Sequence, residues 1–323
     1  MGRYLLGRVL SLVMVLFIVS VFTFLLMHSI PGGPFDESKG RLPEAARANI
    51  LRKYGLDKPL HVQYLNYMKN ALRFDFGIPF QQPQTTVAAL IGKTWFVTVQ
   101  VGLLTVILAF TTGISMGVYA AYHQNSWIDT VVTFVATLGY TVPNFVIALW
   151  LILIFAIHLK WLPMGGWAGR EAVCLIGDKA FCNDWIMPVV AYSLAPMAII
   201  AGYTRSSIVD VQRQDFVRTA RAKGVRDRTI MWRHVFRNAL IPMVTALGVL
   251  IPNLLTGSIF IESVFRINGL GRYFVTSIIN RDYPMIMALW LLIALLWGVV
   301  YLLTDVAYTM IDPRVRLGAR GGS

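Results

Sequence analysis

Six stretches of this chain contain no Asp, Glu, Lys or Arg and are long enough to cross a bilayer. They are Val9–Phe35 (27 residues), Thr94–Ile128 (35), Thr130–Leu159 (30), Trp185–Thr204 (20), Asn238–Ile261 (24) and Tyr283–Thr304 (22). A spanning helix needs about 20 mostly apolar residues at about 1.5 Å rise each, so every run suffices. Only 14% of the 323 residues are charged, against roughly 25% in an ordinary soluble domain. A soluble globular protein, a disulfide-stapled secreted domain and a disordered chain are all excluded. The expectation is an all-α membrane protein with six transmembrane helices.

The net charge of +13 is read as topology. Nine Lys or Arg lie between Arg205 and Arg237, opposed there only by Asp210, Asp215 and Asp227. The positive-inside rule places that loop in the cytoplasm, and an even span count then puts both termini there too. No aromatic-interleaved basic face or reading motif points to nucleic acid. The first run is too long for a signal-peptide core and no A-x-A site follows it, so it reads as a retained signal-anchor. Cys174 and Cys182 share the third extramembrane loop, on the outer side, where a disulfide is permitted; a bridge and two unrelated thiols both remain open.

The pattern divides the chain into residues 1–30 (N-terminus and first span), an external segment 31–93, a domain 94–310 holding the basic loop 205–240, and a cytoplasmic tail 311–323. In the external segment two short amphipathic helices are predicted. One opens at Pro43 and closes at Gly55; the other carries a stripe of Tyr64, Met68, Ala71 and Leu72. Trp161, Trp167 and Trp185 are placed like interfacial anchors. Gly113-Ile-Ser-Met-Gly117 fits the close-packing pattern G-x-x-x-G.

Because the six runs lack Asp, Glu, Lys and Arg, and His28 and His158 sit near span ends, no proton or ion relay is expected at membrane depth. Energy for transport must then come from outside this chain. Uncharged polar residues are better placed. Thr133, Thr137, Thr141 and Asn144 fall on one predicted helical face beside Pro143, and Asn253 and Thr256 share another beside Gly257. They read either as the wall of a water-filled pathway or as polar glue between helices. Ile91-Gly92-Lys93-Thr94 ends like a phosphate-binding P-loop, but Val87 stands where its first glycine is required. No H-E-x-x-H or G-x-S-x-G motif occurs, and His and Cys are too scattered for a metal site.

The most informative segment runs from Asp215 to Pro242. Ala220 and Ala222 are small, Gly224 can turn the backbone, and basic residues surround them. Trp232, Val235, Phe236 and Ala239 form an apolar stripe behind. A short small-residue helix ending in a glycine turn is shaped to enter a groove on another protein.

At these residues the chain resembles the membrane-spanning subunits of binding-protein-dependent ABC importers, specifically B-type permeases of oligopeptide and dipeptide systems. The likeness spans nearly the whole sequence. It includes Lys53-Tyr-Gly-Leu-Asp-Lys-Pro59 with Gln63-Tyr64, Asp75-Phe-Gly77, Arg205-Ser-Ser207, Arg218-Thr-Ala-Arg-Ala-Lys-Gly224 and Arg237-Asn-Ala-Leu-Ile-Pro242. Gly269-Leu-Gly-Arg272, Asn280-Arg-Asp-Tyr-Pro284 and Asp312-Pro-Arg314 complete it. Pro31-Gly-Gly-Pro-Phe35 and Trp161-Leu-Pro-Met-Gly-Gly166 lean towards oligopeptide members.

The resemblance implies a type I importer (MetI-like) fold and makes 215–237 the loop that docks on a cytoplasmic ATPase. The family's E-A-A-x-x-x-G is matched at Ala220 and Gly224, while Arg218 replaces the Glu and Thr219 the first Ala. His234-Val-Phe-Arg237 replaces the I-x-L-P that follows. ATPase contacts are thereby expected at Thr219, Ala220, Arg221, Ala222, Lys223, Gly224, Arg228 and His234, and pathway lining at Thr137, Thr141, Asn144, Asn253 and Thr256. The implied partners are a second C-type permease, two ABC ATPase subunits and an external or periplasmic peptide-binding protein, acting on a peptide within the lipid bilayer of a bacterial or archaeal inner membrane. No cofactor is expected on this chain; ATP and Mg belong to the ATPase subunits. Dipeptides, nickel or another small solute are alternative cargoes of the same family. A stand-alone secondary transporter and an intramembrane enzyme are the rival classes.

Overall fold

A computed structural model describes residues 2–29, 52, 55–167 and 184–311. Among these residues every regular element is a helix. In chain order they are α1 (Gly2–Ser29), α2 (Leu60–Ala71), α3 (Val87–Tyr122), α4 (Trp127–Thr141) and α5 (Asn144–Leu151), the last continued by wider π-helical turns over Ile152–His158. Then follow α6 (Ile186–Gln212), α7 (Asp215–Ala222), a helical turn at Asp227–Thr229 with π-helical Ile230–Phe236, α8 (Arg237–Leu255), α9 (Ile259–Val264), α10 (Leu270–Asn280) and α11 (Tyr283–Ile311). The predicted helix opening at Pro43, the pair Cys174 and Cys182, and the tail beyond Ile311 lie outside the described residues.

The chain forms two compact units, one from residues 1–96 and 269–298, the other from 97–268 and 299–323. In the first unit α1 keeps most of its apolar side chains outward and buries only a stripe near its end, Ser20, Thr23, Phe24 and Met27. Pro59 fixes an extended N-cap at φ −56°, ψ 145° and so starts α2, which packs on that stripe. The Tyr64 ring meets Phe24 edge-on at 5.4 Å, and its hydroxyl is 2.8 Å from Ser20 Oγ. The expected apolar stripe of α2 holds for Tyr64, Met68 and Ala71, each partly buried. Leu72 departs from it, being the C-cap residue past the last turn, and is exposed. Asp282, just before α11, accepts the Gln81 N–H at 3.2 Å, and burial pushes its carboxyl above the usual carboxylate range.

In the second unit the G-x-x-x-G pattern of α3 is a backbone-close crossing with α6. A Cβ on Gly113 would stand 2.7 Å from the Met197 carbonyl oxygen, and one on Gly117 would stand 2.5 Å from Thr204 Cβ. Neither leaves room for a side chain. Gly117→Leu is therefore expected to destabilise the folded subunit by about 2–3 kcal/mol or more through forced separation of the helices. Gly92→Ala, where nothing stands within 4 Å, is expected to be neutral or slightly stabilising. Thermal unfolding of the purified membrane complex distinguishes the two.

The third apolar run is not one straight span, contrary to expectation. Pro143 cannot continue a helix, and it biases the preceding residue out of the helical region. Val142 accordingly takes φ −78°, ψ 124°, and α4 meets the α5 segment at a bend of 100°. Asn144 therefore begins a new helix and leaves the face of Thr133, Thr137 and Thr141. Among the described residues, four other helices are long and apolar enough to cross a membrane. α8, at 19 residues, reaches about 28 Å, close to the roughly 30 Å hydrocarbon core.

Glu262 follows directly on the fifth run. The chain turns at Gly257, with φ +88°, caps α9 by Ile261 N–H donation to Ser258 Oγ at 3.3 Å, and buries Glu262 to 1% exposure. Its carboxylate accepts from Thr98 Oγ1 at 2.9 Å, a residue of the second uncharged run. Ile261, Phe265, Ile267, Val101 and Ala191 pack the same cluster. Trp167, expected as an interfacial anchor, also packs there and donates its indole N–H to Gln100 Oε1 at 3.0 Å.

Candidate functional site

α7 is only eight residues long, too short to persist alone in water, and its underside shows what holds it. Val217 and Ala220 are buried against Ile208 and Val211 of α6, Ile230, Met231 and Val235 of the π-helical segment, and Ala239 of α8. Asp215 in the first turn and Arg221 in the last complement the helix dipole. The end is a Schellman motif, which requires one residue in the left-handed region. Val225 N–H donates to the Ala220 carbonyl at 3.2 Å and Gly224 N–H to the Arg221 carbonyl at 2.9 Å. Gly224 supplies the left-handed residue at φ +73°.

The outer face is the inverse of the underside. Thr219, Arg221, Ala222, Lys223, Gly224 and Arg228 are exposed, His234 is half-buried, and Ala220 faces the chain's own core. A Cβ on Gly224 would meet nothing within 4 Å. The ion pairs on this face, Arg218–Asp215 at 3.5 Å and Arg221–Asp227 at 3.7 Å, are solvent-exposed and contribute at most about 1 kcal/mol each. The surface is thus basic, small-featured and unneeded for internal packing.

The stripe predicted behind Gly224 is partly redrawn. Val235 and Ala239 are buried, but Trp232 is exposed and meets Phe236 edge-on at 5.2 Å. Wider i to i+5 turns change which residues share a side: Ile230 and Val235, five apart, both face inward. Arg205, counted with the basic loop in the sequence, instead belongs to α6, which continues to Gln212.

Arg205 forms a two-pronged pair with Asp129 at the start of α4, Nε to Oδ1 at 2.5 Å and Nη2 to Oδ2 at 2.6 Å. Asp129 Oδ2 also accepts the Asn125 N–H at 3.0 Å, and Asp129 N–H donates to the N-cap Ser126 Oγ at 3.4 Å. One buried carboxylate therefore closes the α3–α4 turn and ties α4 to α6. Bidentate geometry of this kind is orientation-specific as well as strong.

Beside that pair lies a cleft of about 630 Å³ between α4 and α6, whose polar lining is Thr133, Thr137, Tyr140, Tyr203, Arg205 and Ser206. Thr137 Oγ1 donates to the Thr133 carbonyl at 2.8 Å and Thr141 Oγ1 to the Thr137 carbonyl at 2.7 Å. Each hydroxyl is thus satisfied by its own helix and still presents an acceptor outward. Of the predicted lining residues, Thr137 borders this cleft, Thr141 sits one turn further along α4, and Asn144 begins α5. Asn253 and Thr256 sit together at the end of α8, where Tyr192 OH donates to the Asn253 carbonyl at 3.1 Å. Tyr140 and Tyr203 were not singled out by sequence, and Ser206 entered only within the Arg205-Ser-Ser207 likeness; the helical spacing of Tyr203 and Ser206 (i, i+3) was the available signal.

Several membrane-spanning helices, one bent pair and a short exposed helix seated on their core define a multi-pass membrane transport component. Residues 113–317 match the family described as binding-protein-dependent transport system inner membrane component, and residues 1–117 match its N-terminal companion; the chain belongs to this family. It is 38% identical over 321 residues to the dipeptide transport system permease protein DppB of Bacillus subtilis, covering 99% of this chain and 100% of that one. It is 39% identical over 317 residues to the oligopeptide transport system permease protein OppB of Salmonella typhimurium, covering 98% and 100%. The MetNI methionine ABC transporter in an inward-facing conformation shares the fold, with a TM-score of 0.56 at 14% identity over 69% of this chain and 96% of that one.

Proposed function

We propose that this chain is one of two permease subunits of an ATP-driven importer of oligopeptides in a bacterial or archaeal inner membrane, with both termini and α7 on the cytoplasmic side. Peptide reaches it from an external binding protein, and two ATPase subunits dock beneath. The observation that carries this reading is α7: an apolar underside seated on the core and an exposed outer face of Thr219, Ala222, Lys223 and Gly224. Permease relatives named for oligopeptide and dipeptide transport, aligned end to end, support the cargo class. The dipeptide relative keeps dipeptides as the second reading.

Only two residues, Arg213 and Gln214, separate the end of α6 at Gln212 from the start of α7 at Asp215. A displacement of α7 by closing ATPases is passed to α6, and through Arg205–Asp129 to α4. Both walls of the polar cleft then move together, as rigid-body switching of packed helices requires. The nucleotide can bias this equilibrium only through contacts that differ between the two states, and α7 supplies them. A cysteine at Ala222 is expected to cross-link to an ATPase subunit in the purified complex. If that cysteine is equally open to a soluble thiol reagent with and without the ATPases, the docking assignment is wrong.

A further inference from the structure

The transport reading uses the second compact unit and leaves a feature of the first unassigned. Between α1 and the start of α11 lies an open cleft of about 310 Å³, within the usual size of a ligand site, lined almost wholly by hydrocarbon. Ile18, Phe22 and Leu26 form one wall, and Ile286 and Trp290 the other. Ile18 lies eight helical steps from Leu26, about 12 Å of run. Phe22 is 65% exposed, so the cleft opens sideways.

Among the described residues, the charged one in its lining is Arg281. That residue lies at one end, before α11 begins at Tyr283 and level with the last turn of α1, where the His28 and Tyr283 rings are 5.0 Å apart. Arg281 is held there by its backbone. It is the left-handed C-cap of α10, at φ 54°, ψ 42°, closed by Arg281 N–H to the Ile278 carbonyl at 3.1 Å and Asp282 N–H to the Ser277 carbonyl at 2.9 Å. Glycine or asparagine is the ordinary choice at such a position, and an arginine accepts backbone strain. Strained residues of this kind cluster at ligand clamps. The neighbouring Asp282 accepts from Gln81 N–H and is not part of the cleft lining.

Apolar depth with one cation at the membrane boundary is the complement of an anionic phospholipid, whose acyl chain would lie along Phe22 and Trp290 and whose phosphate would meet Arg281. We infer that this cleft is a specific site for one such lipid, distinct from the polar cleft between α4 and α6. The inference does not depend on the cargo or on the docking role of α7. A second permease subunit seated in the same cleft is the competing occupant.

The test is native mass spectrometry of the complete complex, stripped with detergent and titrated with phosphatidylglycerol or phosphatidylcholine. The wild type is expected to retain phosphatidylglycerol at one site. Arg281→Gln is expected to weaken that retention about fivefold, the effect of one cation beside a lipid headgroup, and to leave phosphatidylcholine unchanged. Ile286→Trp, which fills the cleft, is expected to lose both lipids while the complex stays assembled. Equal phosphatidylglycerol retention by wild type and Arg281→Gln overturns the inference. So does a cross-link from a cysteine at Phe22 to the partner permease.

Discussion

Glutamate in place of Gly224 is expected to reduce ATP-driven uptake to background while the subunit still inserts and pairs with its partner permease. The backbone there is left-handed, which costs a non-glycine residue about 1–2 kcal/mol, too little to unfold a membrane domain anchored by several apolar helices. Nothing in the chain itself occupies the space a side chain would enter. The effect must therefore fall on whatever sits against α7. Gly224→Asn separates strain from bulk and charge, because asparagine tolerates this conformation better than other side chains; it is expected to retain much of the uptake lost by the glutamate variant. Membrane-fraction blotting and labelled-peptide uptake measure the two properties. Normal uptake by Gly224→Glu would falsify the docking role.

The largest effect on stability is expected at Gly257. A Cβ there would stand 2.5 Å from Glu262 Oε1 and 2.8 Å from Thr98 Cγ2, on a backbone at φ +88°. Gly257→Val combines left-handed strain with overpacking, an expected loss of about 2–5 kcal/mol. It also pushes a buried carboxylate away from the hydroxyl that bonds it, and losing a hydrogen bond to a buried charged group is costly. Glu262→Gln keeps an acceptor for Thr98 and is expected to be far milder, whereas Glu262→Ala removes that acceptor and leaves a cavity beside Thr98. Thermal unfolding of the purified complex ranks the three. If Gly257→Val melts with the wild type, the Gly257–Glu262–Thr98 packing is not what holds this turn.

Much of the helix layout was legible because hydrophobic run length is a strong signal and bilayer thickness fixes what it means. The glycine turn after α7 was legible for the same kind of reason: a short helix with small residues and a glycine just past its end implies a left-handed cap. The close crossing at Gly113 and Gly117 was readable from spacing alone. Hydropathy averages over a run and is blind to direction, so the bend at Pro143 hid inside 30 uncharged residues although the proline itself was in view. Run length also says nothing of where the residue after a run goes, and Glu262 is folded back onto Thr98 by a glycine turn. The exposure of Trp232 was unreadable, since a helical stripe presumes 3.6 residues per turn and the segment runs wider. The pairing of Asp129 with Arg205 joins residues 76 positions apart, beyond the reach of any local pattern.

The central claim is that this subunit is a gate with its motor elsewhere, driven through α7. Its most direct test is labelled-oligopeptide uptake into vesicles carrying both permeases and the binding protein, measured with and without the ATPase subunits at saturating ATP and Mg. Uptake against a gradient that requires both the ATPases and hydrolysable nucleotide, and that is lost on Gly224→Glu, is the predicted result. Concentrative uptake by the permeases alone, driven by an ion gradient, would contradict the account.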